Sequence, residues 1–190
     1  NVKAGAIRRR KAKPRRDPSH VPGARKAAIL SFIAPPLATL VKESPDGPDW
    51  VHEIKHDGYR MVCRVEDGEV RMYSRNRNEW TSKFPGIARA LARLPVRSAW
   101  IDGEVVALQS NGVSSFQALQ NALSSPRAPN LHFYAFDLAY LDGHDLRQAP
   151  RARAGGVAIG VDEIEGRDAL AAFAQGQRLE RAALQLLAHA

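Results

Sequence analysis

The hexapeptide Lys55-His56-Asp57-Gly58-Tyr59-Arg60 lies between two stretches of β-forming residues, and this placement constrains the chain more than any other feature. Upstream, Trp50-Val51-His52-Glu53-Ile54 is rich in β-formers; downstream, Met61, Cys63 and Val65 alternate with Val62 and Arg64. Gly58 permits a tight turn with positive φ, or a close approach of a ligand to the backbone. A lysine at a strand end, followed by a tight turn and an arginine, suits a covalent nucleophile facing a phosphate. A surface lysine beside an ordinary Asp-Gly turn accounts equally well for the hexapeptide alone.

The next elements follow from local signals. Asp67-Gly68 separates two strand-like runs, 59–66 and 69–74, and is the strongest hairpin signal in the chain. Polar residues 74–80 read as a loop. Ile87, Leu91 and Leu94 recur at helical spacing between Pro85 and Pro95. A strand over 99–108 carries Asp102-Gly103-Glu104, Ser110-Asn111-Gly112 turns the chain, and Ser114 or Ser115 caps a helix through Phe116, Leu119 and Leu123. A long apolar strand over 131–141 ends at Asp142-Gly143, taken as a turn and nothing more. Strands and helices interleave with frequent hairpins, so the expected fold class is α+β with mainly antiparallel sheets flanked by helices.

Charge divides the chain unevenly. The formal net charge is +8 over 190 residues. Residues 1–30 hold ten Lys/Arg against Asp17 alone, a charge of +9; the other 160 residues hold 18 basic and 19 acidic groups, −1. The basic start, broken by Pro14, Pro18 and Pro22, reads as a flexible arm attracted to phosphate backbones, with the folded body beginning near Trp50. Cys63 is alone, which excludes an intramolecular disulfide and a cysteine-rich zinc site. The apolar stretch 27–41 contains Pro35-Pro36 and is too short to span a bilayer, so no membrane partner is expected. His52, His56, His132 and His144 show no metal-ligand spacing. Residues 151–190 change character: 11 of 40 are alanine, and Leu170, Phe173, Leu184 and Leu187 are placed to line a helix interrupted at Gly176, with no strand signal.

Lysine attacks phosphorus only when neutral. With an ordinary pKa of ~10.4, roughly one lysine in 2,500 is neutral at pH 7. Burial and nearby cations bring catalytic lysines down to roughly 7–8. Arg60 and Arg75 are the candidate neighbours.

The segment Glu53-Ile54-Lys55-His56-Asp57-Gly58-Tyr59-Arg60 resembles the nucleotidyl-lysine motif of ATP-dependent DNA ligases, Lys-x-Asp-Gly-x-Arg. Three further blocks match that family in order: Tyr73-Ser74-Arg75-Asn76, then Trp100-Ile101-Asp102-Gly103-Glu104-Val105-Val106, then residues 133–143 around Phe136-Asp137-Leu138. The resemblance is nearest to the ligase modules of bacterial multifunctional end-joining ligases. It implies an adenylation fold of the nucleotidyltransferase type shared by DNA ligases and mRNA-capping enzymes. It divides the chain into a basic linker over 1–31, a partial adenylation domain over 32–150 and a divergent tail over 151–190.

By the same resemblance, Lys55 attacks the α-phosphate of ATP, and Glu53 and the backbone near Ile54 contact the adenine edge. Arg60 meets the ribose and a 5′-phosphate, Arg75 meets phosphate, Glu104 binds the ribose hydroxyl or a Mg²⁺ or Mn²⁺ ion, and Phe136 stacks on adenine. Asp57 is expected to organise the loop by bonding backbone groups. Partners implied are nicked or broken double-stranded DNA and end-binding repair proteins, in a bacterial cytoplasmic, nucleoid-associated setting. An RNA ligase or a capping-type guanylyltransferase shares the lysine chemistry, and a non-catalytic DNA-binding remnant is the third reading. The family's later Glu-Gly-hydrophobic-x-x-Lys and Lys-x-Lys motifs have no match, since Glu165-Gly166 is followed by Arg167-Asp168-Ala169-Leu170 and no lysine follows Lys83. The expectation is therefore an incomplete domain that does not seal DNA alone.

Overall fold

The computed structural model describes residues 17–37, 42–43, 56–124 and 131–149, together with the backbone of a strand at 157–159. One sheet organises them. In chain order the strands are β1 (Arg25–Lys26), β2 (Tyr59–Glu66), β3 (Glu69–Ser74), β4 (Ser98–Ala107), β5 (Leu131–Leu141), β6 (His144–Asp145) and β7 (Val157–Ile159). Helix α1 (Pro85–Arg93) connects β3 to β4, and α2 (Phe116–Leu123) connects β4 to β5. The spatial order is β1-β6-β5-β4-β2-β3, with β7 also pairing β5, and every pairing is antiparallel. The α+β class with antiparallel sheet and flanking helices is thus observed.

Local chemistry explains the elements. The β2–β3 hairpin closes on Asp67 and Gly68, both at positive φ (45° and 89°), the twist a two-residue hairpin requires. Pro85 sits in the first turn of α1, where its missing N–H costs nothing, and Ile87, Ala90 and Leu91 face the core. Ser115, rather than Ser114, caps α2 by accepting from the Ala118 amide at 3.2 Å. The helical face of the sheet carries the main core: Met61, Cys63, Val65, Met72, Ile87, Leu91, Ile101, Leu119 and Phe133. Burial pushes the Cys63 thiol well above its ordinary range, so it packs as a small hydrophobe.

The opposite face is partly covered by residues 27–37. Ile33 packs with Val62, Trp100 and Tyr140, and Ile29 and Phe32 add to this second cluster. Trp100 Nε1 donates to the Leu30 carbonyl at 3.0 Å, and the Tyr140 hydroxyl donates to the Ala27 carbonyl at 3.1 Å. Arg25 and Lys26 pair with Asp145 and His144. A flexible arm ending at residue 31 therefore does not describe residues 17–31, which are bound to the body, and the body takes in 32–37 as part of the domain expected from residue 32 rather than beginning near Trp50. Two buried aromatic side chains needed backbone acceptors, and a proline-rich, extended strap supplies them. Residues 1–16 lie outside the described residues.

Two further expectations change. Val157–Ile159 adds a strand opposite Phe133, Tyr134 and Ala135, where no strand signal was read, so the sheet extends past residue 150. The helix expected in 168–190 lies outside the described residues. Asp142 is more than a turn residue: at 1% exposure, its carboxylate accepts from the Arg97 and Ser98 amides at 2.9 and 2.8 Å, fixing the start of β4. No helix among the described residues is long and apolar enough to cross a membrane.

Candidate active site

Beyond the strap, among the described residues, β2, β4 and β5 form a polar end on the same sheet face. Arg60 on β2 stands opposite Glu104 on β4, and Glu104 stands opposite Tyr134 on β5. Asp102 lies two residues before Glu104 and so shares its face. The Arg60 guanidinium forks onto Asp102, Nε to Oδ1 at 3.1 Å and Nη2 to Oδ2 at 2.7 Å, and its Nη1 donates to the Pro36 carbonyl at 2.9 Å. Its centre lies 5.3 Å from the centroid of the Phe136 ring.

Phe136 owes its place to a β-bulge. The β4–β5 register passes from Asp102–Asp137 to Gly103–Ala135, leaving Phe136 as the extra residue on β5. Its side chain is half-buried, whereas Phe133 on the other face is fully enclosed. Gly103 permits the bulge: a Cβ there would meet the Phe133 ring and the Tyr134 carbonyl oxygen, each at 2.5 Å. A phenyl ring presented beside a guanidinium at the open end of a sheet can accept a planar base on its face.

The electrostatics follow from burial. Asp102 is 3% exposed, and desolvation raises its carboxyl above the usual range against the opposing pull of Arg60. The hydrogen bonds to Asp102 hold the Arg60 guanidinium more firmly protonated. A fixed cation, the Glu104 carboxylate and an aromatic face thus lie together at one end of the sheet.

The residues that follow Lys55 are held at three points. The His56 ring stacks on Tyr134, centroids 4.1 Å apart and planes 16° apart, and burial lowers its pKa. The Asp57 amide donates to Ser114 Oγ at 3.0 Å, while its Oδ2 accepts from the Phe116 amide at 3.2 Å. Asp57 therefore organises the loop as expected. Gly58 packs so closely on β4 that a Cβ would fall onto the Val105 carbonyl oxygen.

Of the site residues read from the sequence, Arg60, Glu104 and Phe136 come together. Arg75 does not join them: it is exposed in the turn after β3 and makes no ion pair among the described residues. Glu53, Ile54 and Lys55 lie outside the described residues. Sequence reasoning missed Asp102, the Pro36 carbonyl, Ser114 and Tyr134. Asp102 was accessible from the alternation on β4, which places it beside Glu104; the others depend on tertiary contacts. His132 is buried at 3% exposure and its Nδ1 has no partner. Among the described residues no group of three His, Cys, Asp or Glu could hold a metal ion. Glu104 fits Mg²⁺ as a single carboxylate contact, since that ion commonly takes one or two carboxylates and completes its shell with phosphate oxygens and water.

Comparison with known proteins identifies the family. Residues 32–154 match the family model described as the ATP dependent DNA ligase domain. The multifunctional non-homologous end joining protein LigD of Pseudomonas aeruginosa is 44% identical over 142 residues, covering 73% of this chain and 17% of that protein. The corresponding Mycobacterium tuberculosis protein is 36% identical over 152 residues, covering 75% of this chain and 20% of its own length. The SPbeta prophage-derived DNA ligase-like protein LigB of Bacillus subtilis is 32% identical, covering 63% of this chain and 43% of that protein. The crystal structure of the ligase domain of M. tuberculosis LigD aligns with 40% identity and a TM-score of 0.43, over 48% of this chain and 29% of that one. The chain thus spans about a fifth of the length of the LigD proteins and less than half of LigB. With the family model matching well over half of its residues, the chain belongs to the ATP-dependent DNA ligase domain family.

Proposed function

We propose that this chain carries the nucleotide-transfer chemistry of an ATP-dependent DNA ligase acting in the repair of broken DNA. In the proposed step the neutral Lys55 amine attacks the α-phosphorus of ATP. A nitrogen–phosphorus bond forms, the bond to pyrophosphate breaks, and the lysine nitrogen gives up a proton, leaving AMP as a phosphoramidate. The 5′-phosphate of a nick or end would later accept the AMP.

What most supports this reading is the meeting of three motif blocks on one open sheet end: Arg60 opposite Glu104, with Phe136 bulged out beneath the guanidinium. Phe136 stacks on the base. Glu104 takes the ribose hydroxyl or one position on a Mg²⁺ or Mn²⁺ ion, which when bound neutralises charge on the triphosphate. Arg60, with three of its five N–H groups engaged by Asp102 and Pro36, offers its remaining donors to ribose or phosphate. Arg75 serves phosphate from the neighbouring turn. Glu53 and the Ile54 backbone read the adenine edge. Residues 1–16, with eight Lys/Arg and no acid, provide nonspecific attraction to double-stranded DNA. End-binding proteins are the proposed partners and a bacterial cytoplasm the proposed compartment.

Incubation with ATP or GTP labelled at the α-phosphate, with Mg²⁺ or Mn²⁺, tests the reading. Covalent label on Lys55 from ATP and none from GTP is expected. Label from GTP would point to capping-type chemistry. Salt-sensitive DNA binding with no label from either nucleotide would favour a non-catalytic DNA-binding protein.

A further inference from the structure

We infer that Ser114 is a positioning residue for the Lys55 nucleophile, acting through Asp57; the inference rests on the proposed nucleotidyl-transfer function. The residues that follow Lys55 in the chain are held by contacts from distant segments. Asp57 is joined to residues 57 and 59 positions further along the chain, its amide to Ser114 Oγ and its carboxylate to the Phe116 amide. Both partners belong to the segment that enters α2.

That segment is itself anchored. Ser114 forms a β-bridge with Leu108, Gln109 N donates to Val113 O at 2.9 Å, and Ser115 N donates to Ala107 O at 3.0 Å. Ser115 is occupied in capping α2 through Ala118, and Asn111 Oδ1 accepts from the Val113 amide, so each polar residue here has its own task. The task of Ser114 Oγ is to receive Asp57. Gly58, lying against the Val105 carbonyl, and His56, stacked on Tyr134, hold the flanking residues of the loop.

Two of these holds are packing contacts with shallow angular dependence. The Asp57 pair is directional and fixes the His56–Asp57 peptide plane, the second peptide unit after the lysine. A nucleophile must meet phosphorus in line at near-contact distance, and a displacement of about 1 Å far from the chemistry can cost ~10²-fold in rate. Losing one exposed hydrogen bond of the pair, with the Phe116 bond retained, corresponds to a smaller effect of about five- to ten-fold. Because Ser114 acts through Asp57, its removal is expected to act on rate and not on affinity.

The test uses the whole chain with Ser114→Ala and Ser114→Thr. Two readouts are taken: formation of the Lys55–AMP adduct against ATP concentration, and hydrogen exchange at the Asp57 amide. Expected for Ser114→Ala is an adduct rate about five- to ten-fold lower at saturating ATP, half-saturation within about two-fold of the parent, and faster Asp57 exchange. Ser114→Thr, which keeps the hydroxyl, restores both. An unchanged rate, a loss carried by half-saturation, or failure of threonine to rescue overturns the inference. If the parent chain forms no adduct, the nucleotidyl-transfer reading fails separately. The positional claim is then decided by Asp57 exchange and by the rate at which an amine-reactive ester acylates Lys55. Changes in both on Ser114→Ala, reversed by threonine, support it; no change in either overturns it.

Discussion

Arg60 and Asp102 form a two-pronged ion pair across β2 and β4, at 3.1 and 2.7 Å, offset by one pleat from the registered pair Arg60–Glu104. The Asp102 side chain is 4% exposed and that of Arg60 28%. This pair gives the open end of the sheet a cation of fixed position. It also ties the strap, through the Pro36 carbonyl, to the strand that carries the motif arginine.

Asp102→Asn should therefore loosen two things together. Breaking a buried pair costs about 3–5 kcal/mol; with Arg60 partly solvated, about 1–3 kcal/mol is expected here. The urea midpoint should fall with an unchanged slope. A midpoint within error of the parent would show that Arg60 is held by Pro36 and Phe136 alone.

Trp100→Phe keeps most of the ring and removes the Nε1 donor to Leu30. One such hydrogen bond contributes about 1 kcal/mol, and a chain of this size should lose roughly 2–4 °C in Tm. Limited proteolysis should cut within 27–37 faster than in the parent. Equal cleavage rates would show that apolar packing of Ile33 and Phe32 suffices to hold the strap.

Asp145 carries a pH dependence of definite sign. Its carboxyl pKa is lowered, first by the side-chain hydrogen bonds from Arg147 at 2.6–3.1 Å. A depressed folded value means that the stabilisation is present above the unfolded pKa, about 3.8–3.9, and is lost as pH falls through the folded value. Both partners are partly exposed, so Asp145→Asn should cost about 0.5 kcal/mol at pH 7 and progressively less below pH 4. A penalty that grows on acidification would contradict this.

Deleting residues 1–16 removes eight Lys/Arg and leaves the strap in place. Nonspecific affinity for duplex DNA should fall, and its salt dependence should flatten, since both scale with the phosphates neutralised. A binding curve unchanged across a salt series would move the DNA contact to the folded body.

Where the signal was local, the sequence was a sufficient guide. The Asp67-Gly68 hairpin, α1 between its two prolines and the long β5 strand depend on turn chemistry and periodicity, and all three stand where expected. The strap was only partly legible because its interactions reach 24 to 113 positions along the chain: Pro36–Arg60 spans 24, Leu30–Trp100 spans 70 and Ala27–Tyr140 spans 113. Composition sees only its charge and prolines. β7 is short and lies in an alanine- and glycine-rich setting, so no alternation announces it. In the site, Arg60, Glu104 and Phe136 were legible through their motifs. The bulge that turns Phe136 outward was not, because it arises from the mismatch of two strands and not from either one.

The most direct measurement is intact and peptide mass analysis of the 190-residue chain after incubation with ATP and Mg²⁺ or Mn²⁺, run beside Lys55→Arg and followed by addition of a nicked duplex. Arginine stays protonated throughout the working pH range, so it cannot attack phosphorus even in the same place. Expected is slow, partial gain of one AMP on Lys55, none on the arginine variant, and no sealing of the nick. The rate is expected to be low because no lysine follows Lys83 to meet the charge of the leaving pyrophosphate, and one missing contact of that kind costs ~10²–10³. AMP on another residue, an adduct that survives Lys55→Arg, or sealing on the order of 1 s⁻¹ would contradict the assignment.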